Sequence, residues 1–206
     1  GRKYSNGGTP NPRPLPDYFI TLGFKPITVI RYPVNTADTI FDPQKRNDSP
    51  FQLYSIFLVN ELVLKLREQV VDDWTLGVIA PYRSQATLLN KLIDNHADKS
   101  KVNVVTDTVH GFQGDQCDMI FAVFNPSSSR SQFSFFLQKE YIINVAVSRA
   151  RDYLFILLPD KETEGIDSLD LIHEQYEGSL LRIIESLPKE MVAILDAKSL
   201  EEKVLK

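Results

Sequence analysis

The pattern of apolar and polar positions predicts short buried strands that alternate with helices. Runs rich in β-branched and aromatic residues predict strands at 27–32, 76–80, 102–105, 119–124 and 153–158. Apolar residues at helical spacing predict helices at 51–70, 83–96 and 139–151. This alternation predicts an α/β domain with a central, mostly parallel sheet, helices on both faces, and ligands at the carboxyl ends of the strands.

The flanking segments have a different composition. Residues 1–26 contain five of the twelve prolines, which predicts an extended connector. Residues 35–50 are polar and predict a loop, with Asp48 or Ser49 capping the following helix and Pro50 in its first turn. Residues 161–206 predict an acidic extension with a helix near 179–187 and a short tail helix. The predicted units are therefore 1–26, 27–160 and 161–206.

The charge is unevenly distributed. The net charge is −4, but residues 1–33 hold five basic residues and one acidic residue, whereas residues 160–206 hold twelve acidic and six basic residues. Any nucleic-acid surface must therefore be local, and the acidic tail is typical of a solvated face.

Cysteine usage and hydropathy restrict the class of protein. The lone Cys117 excludes an intramolecular disulfide and indicates a reducing compartment, the cytoplasm or, in a eukaryote, the nucleus. Cys117 has no Cys or His partners at metal-ligand spacing, so no metal site is assigned. No apolar run approaches the ~18 residues of a membrane span, so no membrane partner is expected. The chain begins at Gly1 and its first methionine is Met119, from which we expect a piece of a longer protein.

Three polar segments adjoin predicted strands and carry the candidate chemistry. They read APYRSQ at 80–85, TVHGFQGDQCD at 108–118 and NVAVSRAR at 144–151. Together they resemble motifs IV, V and VI of superfamily 1B helicases, the group that includes the nonsense-mediated-decay helicase. Those motifs read approximately (T/A)PYxxQ, FQGxExD and LNVA(L/V)(T/S)RAR. The resemblance covers residues 76–158.

The resemblance implies a RecA-like fold of the P-loop NTPase type, an AAA domain. Such helicases bind ATP and magnesium between two RecA-like domains, and the first domain supplies the phosphate-binding loop. The 206 residues contain no GxxxxGK[ST] sequence. The chain therefore resembles the second RecA-like domain alone, which would be inactive without the first. The implied partners are that first domain and single-stranded DNA or RNA.

The same resemblance assigns a nucleotide-binding group. It implies that Arg149 is an arginine finger, a role that suits a permanently charged, planar guanidinium. The alternative for Arg149 is a surface arginine favoured by a helix dipole, and Arg151 is a candidate for that dipole role with a secondary place near the nucleotide. Gln113, Gly114 and Gln116 match the nucleotide-contacting part of motif V. The family usually has Glu at the position of Gln116, and the neutral amide is a weaker acceptor, which places the strength of nucleotide coupling in doubt.

A second group is assigned to the nucleic acid. Thr108 and His110 match motif V positions that face the phosphate backbone, and the alternative is that Thr108 caps a turn and His110 is merely exposed. Pro81, Tyr82 and Gln85 match motif IV, where Tyr82 either stacks on a base or packs in the core. We expect Phe112 in the core and Asp118 in a structural role.

These assignments predict the second motor domain of an ATP-dependent helicase or translocase. The first alternative is a catalytically degenerate helicase-like module that only binds nucleic acid. A Rossmann-type transferase is disfavoured because no predicted strand ends in GxGxxG. A purely structural scaffold does not account for three motifs in order.

Overall fold

A six-stranded sheet organises the fold. The computed structural model describes residues 12–34, 40–95, 101–112, 116–125, 145, 148–160 and 186–204. All pairings in the sheet are parallel, in the order β5-β4-β6-β7-β1-β8. The strands are β1 (Ile27–Tyr32), β4 (Trp74–Ala80), β5 (Val102–Thr108), β6 (Cys117–Val123), β7 (Ala150–Pro159) and β8 (Val192–Asp196). The predicted α/β class with a parallel sheet is confirmed.

The remaining described elements flank this sheet. Two short antiparallel strands, β2 (Gln44–Arg46) and β3 (Ser49–Phe51), form a separate hairpin. The helices are α1 (Asp17–Thr21), α2 (Leu53–Gln69), α3 (Arg83–Asp94) and α4 (Ala197–Val204).

The core is built on strands that are covered on both faces. Every residue of β6 is buried, as are the last seven residues of β7. This explains why continuous apolar runs, and not alternating ones, mark these strands. Aromatic rings fill the space beside them, since Phe155 of β7 lies 5.2 Å from Phe121 and 4.8 Å from Phe24, measured between ring centroids.

The amino-terminal part of the chain contains structure that the sequence analysis missed. Residues 17–21 form α1 and are not extended, because Phe19 inserts into the core and is fully buried. The predicted loop at 35–50 contains strand β2 and most of β3. Pro50 lies in β3, so α2 begins later than predicted and is capped by the Gln52 side chain, which accepts a hydrogen bond from the Ser55 N–H at 2.8 Å.

Two corrections concern the carboxyl-terminal half. The predicted helix at 139–151 cannot include Ala150 and Arg151, because both belong to β7, where Ala150 pairs with Cys117. The predicted acidic helical extension contains a strand, β8, that pairs with β1 from Ile27↔Val192 to Arg31↔Asp196. The tail helix is confirmed as α4.

Other predictions fall where the structure gives no description. Most of the helix at 139–151, the helix near 179–187, and the site residues Gln113 and Gly114 lie outside the described residues. The division of the chain at residues 26 and 160 stays a prediction, although α1 and β8 join the sheet's core from the two flanking units.

Candidate functional site

The predicted site residues lie at two opposite edges of the sheet. Pro81, Tyr82 and Thr108 lie at the carboxyl ends of β4 and β5, whereas Gln116 and Arg149 immediately precede β6 and β7. Because all these strands are parallel, the two sets face opposite ways. The expected location of ligands at the carboxyl ends of the strands therefore does not fit Gln116 and Arg149, which lie at the amino edge. A motif that comes before a strand lies at that strand's amino edge.

The shortest connection between two strands of the sheet runs from the carboxyl edge to the amino edge. Residues 109–116 carry the chain from the end of β5 back to the start of β6, which is the amino edge of the sheet. Midway, the Phe112 ring packs over Gly77 of β4, where an added Cβ would lie 2.6 Å from the ring. Phe112 is 2% exposed, so its predicted core position is confirmed.

A tight turn forms the carboxyl edge at the end of β5. The hydroxyl of Thr108 accepts a hydrogen bond from the Gly111 N–H at 3.3 Å, and the Phe112 N–H donates to the Thr108 carbonyl at 3.0 Å. The Asp107 carboxylate lies so close to Gly111 that a Cβ there would meet it at 2.2 Å. The turn leaves His110 exposed and Thr108 half-buried. Thr108 thus has the turn-stabilising bond of the alternative hypothesis, and its hydroxyl remains close to the surface.

The segment that resembles motif IV, residues 80–85, is mostly inside the protein. Pro81 is buried, and Tyr82 is 8% exposed, with burial raising the pKa of its phenol well above its usual value. Most of the Tyr82 ring therefore packs in the core. The exposed residue that follows it is Arg83, the first residue of α3.

Gln85 is fully buried, and its amide joins α3 to the start of α2. Its side-chain oxygen accepts from the Gln52 N–H at 2.9 Å, and its nitrogen donates to the Ser55 hydroxyl at 2.9 Å. Gln52 also donates to the carbonyls of Pro33 and Phe41, at 3.3 and 3.2 Å. A contact between the Gln85 side chain and a bound nucleic-acid strand would require this internal network to break. We interpret Gln85 as a residue that positions motif IV from within.

Gln116 and Arg149 are neighbours at the amino edge. The Cys117 N–H donates to the Arg149 carbonyl at 3.0 Å, which places the residues before β6 and β7 side by side. Gln116 is exposed and Arg149 is half-buried. The Nε of Arg149 is buried and has no hydrogen-bond partner among the residues that the structure describes. A buried donor without an acceptor is costly, so the Arg149 Nε–H is available to donate to a hydrogen-bond acceptor.

Arg151, two residues after Arg149, has a structural partner. Its guanidinium lies 3.7 Å from Asp118, a buried carboxylate that also lies 3.8 Å from the guanidinium of Arg13. Asp118 accepts hydrogen bonds from the N–H and hydroxyl of Thr75. The predicted structural role of Asp118 is consistent with these contacts, which join β4, β6 and β7 to the segment before α1.

These side chains border an open cleft of about 580 Å³ beside Arg151. The Arg13 guanidinium lies 5.4 Å from the centroid of the Trp74 ring and donates to the Asp73 carbonyl. Lys101 and Asn103 contribute further polar lining. The sequence analysis did not identify Arg13, Trp74 or Thr75. Arg13 occurs among prolines, and no pattern links it to residues 60 to 105 positions away.

The parallel sheet and its flanking helices define an α/β domain of the RecA-like fold. Residues 24–160 match the family model described as an AAA domain, and the chain belongs to that family. Together with its relatives, this makes it a superfamily 1 helicase domain.

Three curated relatives illustrate the similarity. The chain is 34% identical over 102 residues to DNA polymerase alpha-associated DNA helicase A of Saccharomyces cerevisiae. The aligned region covers 50% of this chain and 14% of that relative. The chain is 33% identical over 116 residues to the probable helicase senataxin of Mus musculus, covering 55% and 4%. It is 31% identical over 117 residues to the DNA replication ATP-dependent helicase/nuclease dna2 of Schizosaccharomyces pombe, covering 57% and 8%. The chain thus spans a small part of each relative's length.

In the part of the chain that the structure describes, no helix is long and apolar enough to cross a membrane.

Proposed function

We propose that this chain is the second RecA-like domain of an ATP-dependent superfamily 1B helicase or translocase. In this proposal the amino edge completes an ATP site whose phosphate-binding loop and magnesium ligands belong to the first domain. The carboxyl edge contacts single-stranded DNA or RNA. The protein acts inside the cell, and the domain alone is inactive, because these 206 residues contain no GxxxxGK[ST] sequence.

The observation that carries the proposal is the placement of Arg149. It lies next to Gln116 at one edge of the sheet, with a buried Nε that has no acceptor among the described residues. A guanidinium in that state suits the charge that spreads over phosphoryl oxygens during transfer. Arg149 would contact the γ-phosphate, while Gln113, Gly114 and Gln116 would contact the nucleotide. Arg151 acts mainly through Asp118, with its nucleotide contact kept as a secondary proposal.

The connection at 109–116 supplies a route for coupling. Closure of the two domains around ATP would press on the amino edge, and the segment that passes over Gly77 would transmit this to Thr108 and His110. Repeated closure and opening would then change the grip on the strand once per hydrolysis cycle. Thr108 and His110 would bind phosphate oxygens without reading sequence.

The test is ATP hydrolysis by the full-length protein, with and without single-stranded DNA and RNA. Arg149→Ala is expected to lower strand-stimulated turnover by about 10³-fold or more, because an arginine finger contributes 10³–10⁵ in rate. Arg149→Lys keeps the charge but loses the planar fork, and is expected to restore only a small part of the activity.

Lys198→Ala removes one exposed positive charge from α4, outside the proposed nucleotide site, and is the control. Equal losses in the two alanine variants would contradict the arginine finger. A wild-type protein that binds strands but shows no stimulated hydrolysis would instead support the degenerate binding module.

A further inference from the structure

A surface at motif IV presents two arginines: Arg46 lies outside every motif, and Arg83 occupies a position that the motif IV pattern leaves unspecified. Arg46 ends strand β2, and Arg83 is the first residue of α3; both are exposed. Among the described residues, neither guanidinium lies within ion-pairing distance of a carboxylate. In a chain with a net charge of −4, two such groups on adjoining elements form a local positive surface.

Hydrogen bonds fix the backbone positions of these two arginines relative to each other. The Ser84 hydroxyl donates to the Arg46 carbonyl at 2.9 Å, and the Ser84 N–H donates to the Ser49 hydroxyl at 2.8 Å. Ser84 follows Arg83 directly, so the hairpin and the first turn of α3 are joined next to both arginines. This arrangement reduces the conformational freedom lost when a ligand binds.

The hairpin itself is a short, constrained support. Arg46 pairs with Ser49 across a two-residue turn, and both turn residues are in the left-handed region, Asn47 at φ 49° and Asp48 at φ 58°. Two central residues with positive φ are typical of the tight hairpin turn whose twist matches its strands. Asn and Asp tolerate this conformation better than other non-glycine residues.

The surface lies at the carboxyl edge of the sheet. Arg83 comes three residues after Ala80, the last residue of β4, and the Val109 N–H donates to the Ala80 carbonyl at 3.1 Å. The turn that carries Thr108 and His110 therefore adjoins the end of β4. Lys45 is a further exposed cation on the hairpin, while Asp42 and Asp48 are the nearby acidic residues.

We infer that Arg46 and Arg83 bind the phosphodiester backbone of the single strand, extending the contact surface of Thr108 and His110 onto the hairpin. This inference rests on the proposed function, since it requires a strand at the carboxyl edge. A guanidinium binds phosphate oxygens through two parallel N–H donors, and such contacts position a strand without specifying its sequence. The ligand class is a single-stranded polynucleotide of either sugar type.

The test is binding of fluorescent dT20 and U20 by the full-length Arg46→Gln/Arg83→Gln variant across a salt series. Each phosphate contact contributes about 0.7 to the slope of log affinity against log salt for single strands, so the slope should fall by about 1.4. The difference in affinity from wild type should then shrink roughly 25-fold over a tenfold rise in salt. Arg46→Lys/Arg83→Lys should recover the slope with weaker binding than wild type.

Lys91→Gln/Lys198→Gln removes two exposed positive charges from the far end of α3 and from α4, and serves as the control. A wild-type slope in the control, with unchanged thermal unfolding in both double variants, supports the assignment. If wild type binds strands and the arginine variant matches the control, the inference is wrong while the proposed function stands. If wild type binds neither strand, both are wrong.

Discussion

Thr75 and Asp118, 43 residues apart in the chain, bind each other in both directions. The N–H and hydroxyl of Thr75 donate to Asp118 Oδ2 at 2.8 and 2.9 Å, and the Asp118 N–H donates to Thr75 Oγ1 at 3.0 Å. These bonds lie at the amino edge, where β4 and β6 start. With Arg13 and Arg151 beside the same carboxylate, this pair holds the edge on which the proposed nucleotide contacts depend.

Asp118→Ala is expected to destabilise the fold by about 2–4 kcal/mol. The change removes the acceptor of two hydrogen bonds and leaves Thr75 donors and two guanidiniums without a buried partner. Urea unfolding of this chain measures the effect. Asp72→Ala, at an exposed position between α2 and β4, is the matched control and should change stability by less than about 0.5 kcal/mol. Equal stability of the two variants would show that the cluster contributes nothing.

Gln85→Ala is expected to lower stability by about 2–3 kcal/mol because it leaves the Gln52 N–H without its acceptor inside the protein. The salt dependence of strand binding should stay at the wild-type value, since the buried amide makes no phosphate contact in this arrangement. Asn90→Ala, on the same helix but bonded at the surface to Asp94, should have a much smaller effect on unfolding. A lower salt slope with unchanged stability would return Gln85 to the nucleic-acid interface.

The raised pKa of the Tyr54 phenol predicts that the protein loses stability at alkaline pH. Burial, and the 2.6 Å hydrogen bond that its hydroxyl donates to Glu201, raise the pKa of the Tyr54 phenol well above its ordinary value of 10.0. The folded state therefore keeps the neutral phenol while the unfolded chain ionises. This contribution is fully present below about pH 10 and is lost as the pH rises above it.

Tyr54→Phe separates the two effects of that hydroxyl. At pH 8 the variant should lose about 1 kcal/mol, because the bond between α2 and α4 is absent. Between about pH 10 and 11 its stability should fall less steeply than that of wild type, since one ionisable group of the unfolded state has been removed. Urea unfolding at these pH values provides the comparison, and parallel pH profiles for the two proteins would contradict the assignment.

The sequence predicted five of the six strands of the sheet and missed β8 and the β2–β3 hairpin. The continuous apolar runs of β4, β6 and β7 are unambiguous because both of their faces are buried. In contrast, β8 is short and partly exposed, with Ile194 at 57%, so its apolar residues read as part of a tail. The β2–β3 hairpin was missed because all three residues of β2 are polar and β3 contains Pro50, and neither feature predicts a strand.

The candidate residues were found through motif resemblance, but their positions were not. Arg149 precedes a predicted strand and Thr108 follows one, so their separation onto opposite edges follows only once the strands are known to run parallel in one sheet. Gln85 and Asp118 were noticed as polar residues within the motif-like segments. Burial decides their roles, and burial depends on contacts such as those of Gln85 with Ser55 and of Asp118 with Thr75.

The pairing of β8 with β1 has a practical consequence for fragments of this protein. The family match ends at residue 160, which makes that position an attractive place to cut the chain. A version shortened there would lose β8 and leave β1 unpaired on the side where Ile27–Arg31 pair with Val192–Asp196. An uncovered, apolar strand of this kind is a template for association with another molecule. Strand β8 therefore covers this side of β1 and protects it from association with other molecules.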